Sequence, residues 1–401
     1  MNDPVSHIFD FTPATLGQWC SDRGMPAFRS KQILEWVYEK GIIDPALMTT
    51  LSQRDRALLA DPEHGLTFLS GDIVQHQAAS DGVQKLLVQW HGGRSDGVTE
   101  GRSDEVTKSP SDEVSLTVLP HSVTPSLRHS VTSALQTECV MIPAERDEEK
   151  DRAPRFTACI SSQIGCPVGC KFCASGLGGL DGNLSAGRIV EQVWRLARLE
   201  GVRRITNVVF MGMGEPLANF GPVTQAIRTL ATLPPGGMGI SARKITISTV
   251  GLPAAIERLA DQFELPVTLA LSLHAPFDDL RRELIPWAQY STIKELLASC
   301  QKWFEKTGRE ITLEYTLLGG VNDRPEHAAE LARLAQTLRA NVNLIRYNEV
   351  KGMPFQRPRT DHVHAFQALL RDRGVNVHIR ASRGRDIAAA CGQLRHEAAT
   401  V

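Results

Sequence analysis

The 401-residue sequence has no run of 18 apolar residues, so no segment reads as a membrane-spanning helix. Its opening, Met-Asn-Asp-Pro-Val, lacks the charged-then-apolar order of an export signal, and a cytoplasmic location with no membrane partner is the expectation. Charge of either sign is not in excess. Lys and Arg number 44 against 45 Asp and Glu, a formal net charge of −1, which argues against a generic nucleic-acid coat. Two further absences concern the eight cysteines. Cys170 and Cys173 form a single C-x2-C knuckle, whereas a structural zinc site usually pairs two knuckles or one knuckle with histidines. No additional cysteine follows closely, as low-potential ferredoxin runs require.

What is present is a C-x3-C-x2-C run formed by Cys166, Cys170 and Cys173. Three thiolates within eight residues can grip three irons of a 4Fe–4S cube and leave one iron open to another ligand. A zinc site and buried structural cysteines are the competing readings. An open iron suits the reducing compartment that the other absences suggest.

Along the chain, residues 7 to about 62 carry apolar residues at three- and four-residue spacing, which predicts helices over 15–22, 29–40 and 44–59. Residues 66–90 switch to alternation, with a strand at 84–90 after an Asp81-Gly82 turn. Ser-Asp-Gly-Val at 95–98 then becomes Ser-Asp-Glu-Val at 103–106 and 111–114, and His-Ser-Val-Thr follows at 121–124 and 129–132. These polar octapeptides bury too little for a solenoid and predict a disordered loop inserted in a hairpin, whose second strand resumes at Glu138. From Phe156, strands near 156–161, 205–211, 244–249, 267–273, 311–318, 342–347 and 375–380 alternate with amphipathic helices. That order predicts an α/β fold with a parallel sheet, open or barrel-like. The expected organisation is a helical accessory domain at 1–65 and a hairpin extension at 66–150 carrying the insertion at about 93–136. A core at 151–350 and a C-terminal segment at 351–401 follow. From Lys351 onward nine Lys and Arg face four acids, a basic segment suited to phosphates or simply to solvent.

Ligands of parallel α/β folds gather at the carboxyl ends of the strands. There the sequence places Gly212-Met-Gly-Glu-Pro216, Ser248-Thr249, Ser272-Leu-His-Ala-Pro276 and Asn348. Glu215 offers a carboxylate for an ammonium group. Each residue taken singly is as readily an ordinary turn or structural hydrogen bonder; together on one side of a sheet they suggest a pocket. Cys159 lies seven residues before Cys166, and Cys391 sits in the basic segment with Arg383 and Arg385 nearby, which favours an accessible thiolate. Cys20, Cys139 and Cys300 read as small buried hydrophobes.

Taken together these motifs resemble the RlmN/Cfr family of radical S-adenosylmethionine RNA methyltransferases. The resemblance rests on Cys166-x3-Cys170-x-Phe-Cys173, Cys159-Ile-Ser-Ser-Gln-Ile-Gly-Cys166, Gly212-Met-Gly-Glu-Pro216, Ser272-Leu-His-Ala-Pro276 and Ala390-Cys-Gly-Gln-Leu394, and covers nearly everything outside 93–136. It implies a partial (β/α)6 barrel with a small N-terminal helical accessory domain. It also implies one 4Fe–4S cluster on Cys166, Cys170 and Cys173, with exchangeable S-adenosylmethionine on the open iron and two molecules consumed per turnover. Gly214, Glu215, Ser248, Ser272, Leu273, His274 and Asn348 would hold that cofactor. Cys391 would carry the methyl group as S-methylcysteine, Cys159 would resolve the protein–RNA adduct through a transient disulfide with Cys391, and Glu138 would accept a proton. The substrate implied is an adenine of 23S rRNA, and of tRNA, methylated at carbon 2, with the Cfr-type carbon-8 reaction as the alternative. An external low-potential donor such as flavodoxin or ferredoxin would supply electrons, and a monomer is the default.

Overall fold

The computed structural model describes residues 6–63, 65–91, 135–144 and 154–394. The expected repeat loop at about 93–136 lies, but for its last two residues, outside them.

The chain opens with β1 (Ser6–His7), followed by α1 (Pro13–Asp22), α2 (Arg29–Leu34) and α3 (Gln53–Leu59). Thr12 caps α1 with Pro13 in its first turn, and the Ser52 hydroxyl caps α3 by accepting from the Asp55 amide. The helix expected over 29–40 relaxes into a π-helical turn at Glu35–Glu39. The one expected over 44–59 is split, because Asp44 caps a short 3-10 turn at Pro45–Leu47 before Ser52 starts afresh. The module closes where β1 pairs in parallel with β2 (Leu66–Thr67).

A ten-stranded sheet follows. β3 (Gly71–Ala78), β4 (Gln84–Trp90) and β5 (Gln136–Ala144) form an antiparallel meander that joins β6 (Arg155–Cys159). The interrupted hairpin is thus present, with β4 and β5 paired from Gln84 opposite Met141 to Gln89 opposite Gln136. A small antiparallel pair, β7 (Gln163–Gly165) and β8 (Leu180–Asn183), brackets the Cys166–Cys173 run. Then α4 (Ala186–Leu196), β9 (Asn207–Phe210), α5 (Phe220–Ala231), β10 (Ile245–Thr249), α6 (Pro253–Gln262) and β11 (Thr268–Ser272) alternate. They lead on to α7 (Asp278–Leu284), α8 (Ile293–Thr307), β12 (Ile311–Leu317), α9 (Pro325–Gln336), β13 (Ala340–Arg346), α10 (Thr360–Asp372) and β14 (Val377–Arg380).

Strands β6 and β9 to β13 are the six of the expected partial barrel, all in parallel register, and β14 extends the array. The sheet curls on itself. Arg380, at the end of β14, brings a guanidinium nitrogen to 3.1 Å from the Met211 sulfur just past β9, although four strands separate them in sheet order. Buried Val, Ile and Leu on both faces of these strands suit a sheet covered by helices.

Helix α4 is the element that joins module to barrel. Ser185 caps it, and almost every residue from Ala186 to Leu196 is buried, including Glu191, Gln192 and Arg195. Glu191 Oε2 accepts from His7 Nε2 (3.0 Å) and from the amide and hydroxyl of Ser70 (2.8 and 2.9 Å), while Arg195 holds Oε1 at 2.7 Å. His7 and Ser70 stand at the entry and exit of the module, so one carboxylate ties both ends to the barrel. Among the described residues no helix is long and apolar enough to cross a membrane.

Candidate active site

The loop after β6 carries the three cysteines. Gln192 on α4 clamps its start, accepting from the Ser161 amide (2.9 Å) and donating to the Ser161 carbonyl (3.0 Å). The Ser161 hydroxyl donates to the Glu138 carbonyl (2.7 Å) and accepts from the Met213 amide (2.9 Å), which fixes this loop against the Gly212–Pro216 turn. That turn needs its glycine. Gly214 has φ +102°, and a Cβ there would lie 2.6 Å from the Gln163 Cβ and 2.7 Å from the Ser162 hydroxyl.

Cys166, Cys170 and Cys173 line one cavity at the carboxyl ends of the strands. Gly214, Glu215, Ser248, Ser272, His274 and Cys391 line it too. Of the remaining expected residues, Leu273 has its side chain in the apolar core. Asn348 is buried at the rim, where its amide donates to the Cys391 carbonyl (3.2 Å). Cys159 lies in the apolar cluster beside the cavity with Val140, Met213, Ala389 and Leu394, and Glu138 is buried next to Lys85.

The polar groups of the wall are prepared for charge. Burial pushes the Glu215 carboxyl up, against the pull of the Val250 amide (2.8 Å), the Leu217 amide (2.9 Å) and Thr249, so an arriving ammonium would be a welcome counter-ion. His274 is pushed down to about 3 by burial and by the Arg281 charge, and is therefore neutral. Its Nδ1 accepts from the Thr316 amide (3.0 Å), which leaves the proton on Nε2. The His274 backbone, at φ +55°, is held by Asn322, whose amide donates to its carbonyl (2.8 Å), and the ring meets the Phe172 edge at 5.0 Å.

Sequence reasoning missed three charged groups. Arg281 on α7 is 1% exposed and donates to the Val250 carbonyl and, at 3.2 Å, to that of Leu273, with its charge felt at Cys170. Glu314 on β12 lines the cavity, buried, with its Oε2 making no hydrogen bond. Arg380 lies within electrostatic reach of Cys159, Cys391 and Glu314. A glutamate inside the apolar strand Ile-Thr-Leu-Glu-Tyr-Thr-Leu was a readable signal; an arginine in Asp-Asp-Leu-Arg-Arg-Glu-Leu was not.

Cys391 is open to solvent through the cavity although protein surrounds it. This enclosure raises its thiol, and the cation pulling it back is Arg380, not the expected Arg383 and Arg385. Arg383 is engaged elsewhere, donating to the Pro143 carbonyl (3.1 Å). Burial pushes the Cys159 thiol up to about 12, with the Cys391 charge adding to the rise. The Cys391 segment is pinned to the Cys166–Cys173 loop by the Ala174 amide donating to the Gly392 carbonyl (2.8 Å) and the Ser175 hydroxyl donating to the Leu394 carbonyl (2.7 Å).

Does this donor set fit an iron–sulfur cube? Among the described residues no three His, Cys, Asp or Glu side chains are grouped to hold a single metal ion. The three thiols line one cavity, which suits a cube with one iron per thiolate. The Glu314 oxygen that makes no hydrogen bond is further polar capacity for a ligand in the same cavity.

Residues 160–332 match the model of the radical SAM superfamily, and residues 6–62 match the ribosomal RNA large subunit methyltransferase N-terminal domain. A probable dual-specificity RNA methyltransferase RlmN of Thermosynechococcus vestitus is 41% identical, covering 95% of this chain and 96% of its own. The dual-specificity RNA methyltransferase RlmN of Syntrophobacter fumaroxidans is 39% identical over 98% of each. The chain belongs to the RlmN family. As an RlmN-family protein it is a radical S-adenosylmethionine methyltransferase, and the superfamily implies a 4Fe–4S cluster and S-adenosylmethionine as its cofactors. The crystal structure of a radical SAM methyltransferase from Sphaerobacter thermophilus superposes with a TM-score of 0.82 at 37% identity, covering 98% of this RlmN-family chain and all of that one.

Proposed function

We propose that this enzyme methylates carbon 2 of an adenine in 23S rRNA and of an adenine in tRNA, through a methyl group first placed on Cys391. The observation that carries this reading is the position of Cys391. A cysteine more than 200 residues from the cluster run lines the same cavity as Cys166, Cys170 and Cys173, with Cys159 beside it. A radical enzyme that acted directly on its substrate would have no use for two additional thiols there. The names of the relatives supply the nucleic-acid class; the motifs do not separate carbon 2 from carbon 8, and carbon 2 is preferred as the commoner reaction of the family.

Cys166, Cys170 and Cys173 would hold the cluster, which when bound supplies the electron that generates a 5′-deoxyadenosyl radical from S-adenosylmethionine. Glu215 would take the methionine ammonium, and Gly214 lets that group approach the backbone. Ser248 and Ser272, whose hydroxyls lie 3.3 Å apart, and the neutral His274 N–H offer donors to the rest of the cofactor. Leu273 would contribute only its backbone. Asn348 holds the Cys391 carbonyl and so orients the carrier. Once the carrier carbon has joined the adenine and the adduct has returned its unpaired electron to the redox chain that supplied it, Glu138 accepts the proton leaving the ring carbon. Cys159, as the thiolate, then attacks the Cys391 sulfur; an S–S bond forms as the S–CH2 bond breaks, the bonding pair stays on the carbon, and that carbon takes up a proton to become the methyl group. An external dithiol then reduces this disulfide to free Cys159 and Cys391, and each cycle consumes one S-adenosylmethionine for the methyl and one for the radical.

The test is Cys391→Ala in the cluster-loaded enzyme, assayed on RNA from a strain lacking the gene, with nucleosides resolved by mass spectrometry. Wild type is expected to yield 2-methyladenosine, and the variant none while retaining its iron. Appearance of 8-methyladenosine would overturn the carbon-2 assignment. Loss of iron from the variant would overturn the carrier role.

A further inference from the structure

The proposed base does not stand alone. Lys85 Nζ lies 2.7 Å from Glu138 Oε1 with both side chains buried, 8% and 5% exposed. The two belong to adjacent antiparallel strands, β4 and β5. Lys85 is opposite Val140 in the ladder, and Glu138 is two residues from Val140, so all three project from one face. That face packs on the carrier segment, because Val140 and Val83 share an apolar cluster with Cys159, Ala389 and Leu394.

Lys85 makes a second contact in the same direction. Its ammonium donates to the Ala388 carbonyl at 3.3 Å. Ala388 is a non-glycine residue at φ +50°, a conformation that needs outside support. The turn of the same hairpin supplies more of it. Asp81 accepts from the Gly384 amide, and Asp386 accepts from the Ser80 amide, both at 2.9 Å. A buried carboxylate keeps its charge only beside a compensating cation, and the cation here also grips the backbone three residues before the methyl carrier.

We infer that Lys85 is a positioning residue that holds Glu138 charged and in register with the Cys391 loop, so that proton removal and carrier release occur at one place. This rests on the reading of Glu138 as the proton acceptor. A lysine in Gln-Lys-Leu-Leu-Val on a hairpin far from the cluster run would otherwise read as a surface charge.

The test uses the full-length, cluster-loaded enzyme with Lys85→Met, Lys85→Arg and Glu138→Gln. Three quantities are read: methyl on the Cys391 peptide by mass spectrometry, protein–RNA adduct on a denaturing gel, and released methylated RNA. Lys85→Met should keep Cys391 methylated, accumulate adduct and release product at least about tenfold more slowly. Lys85→Arg, which retains the charge, should recover most of that loss. The double variant Lys85→Met/Glu138→Gln should be no slower than Glu138→Gln alone. Wild-type release by Lys85→Met overturns the inference. So does equal loss of methylation and release without rescue by arginine, because that is the signature of a merely structural lysine. Normal release by Glu138→Gln is a different failure and removes the role of Glu138 itself.

Discussion

Glu191→Ala should loosen the N-terminal module without touching the active-site cavity. The carboxylate is fully buried and takes five hydrogen-bond or ion-pair contacts, from His7, the amide and hydroxyl of Ser70, and two nitrogens of Arg195. Its removal leaves Arg195, 8% exposed, without this counter-ion and orphans donors at both ends of the module. Breaking a buried pair by deleting one partner costs about 3–5 kcal/mol. The lower figure corresponds to opening of the module on the order of a hundredfold more often. Burial alone would raise the Glu191 carboxyl, but His7, Arg195 and Ser70 outweigh it and hold it below the usual carboxylate range. The sign follows: the folded value is below the unfolded one, so the stabilisation is present at neutral pH and is lost as pH falls through the folded value. Hydrogen exchange measured by mass spectrometry is the assay, comparing peptides of α1 to α3 with those of β11 to β13. Exchange should accelerate about a hundredfold in the former and stay unchanged in the latter. Acceleration below about fourfold, or equal acceleration everywhere, would refute the claim that this carboxylate fastens the module.

Gly214→Ala should weaken S-adenosylmethionine binding by at least about tenfold, or ~1.4 kcal/mol, because the added methyl meets Gln163 and Ser162 and the backbone sits at φ +102°. Equilibrium binding to the cluster-loaded variant checks this, and unchanged affinity would contradict it. His274, pushed down to about 3, binds its proton only when unfolded across the interval from its ordinary value near 6.5. Stability should therefore fall as pH drops from about 6.5 towards 3, and His274→Gln should flatten that part of a denaturation profile. Arg385 is exposed, and its charge is felt by Arg357 and through it joins Arg346 in a basic rim near Asn348. If this rim meets an RNA phosphate, Arg385→Ala should lower the salt dependence of RNA binding by about one unit of log–log slope while leaving S-adenosylmethionine affinity unchanged.

The alternation of strands and helices from Phe156 onward was legible because each strand is a short apolar run bounded by turn residues and each long helix has an apolar stripe. Helix α7 was not, since seven residues of Asp-Asp-Leu-Arg-Arg-Glu-Leu carry too few apolar positions to show a period. The split of the expected 44–59 helix turned on caps, Asp44 and Ser52, that a periodic reading passes over. The cluster run and the strand-end residues are local signals, and the cavity gathers most of them. Glu314 stood out in its apolar strand, but its grouping with Arg281 and Arg380 comes only from closure of the sheet, which brings residues 33 to 99 positions apart around one space. Lys85 is the same case, because its partner lies on the far side of the octapeptide insertion.

Cys391 is anchored on both sides. Before it, Gly384, Asp386 and Ala388 are bonded to the hairpin; after it, Gly392 and Leu394 are bonded to the cluster loop, and Asn348 holds its own carbonyl. A sulfur so tethered has little reach beyond the rotation of its own side chain. Under the proposed carrier role the journey falls to the substrate: a base receiving carbon from this sulfur would have to leave its stack and enter the barrel mouth, and the energy of unstacking would act as a filter on which nucleotides arrive.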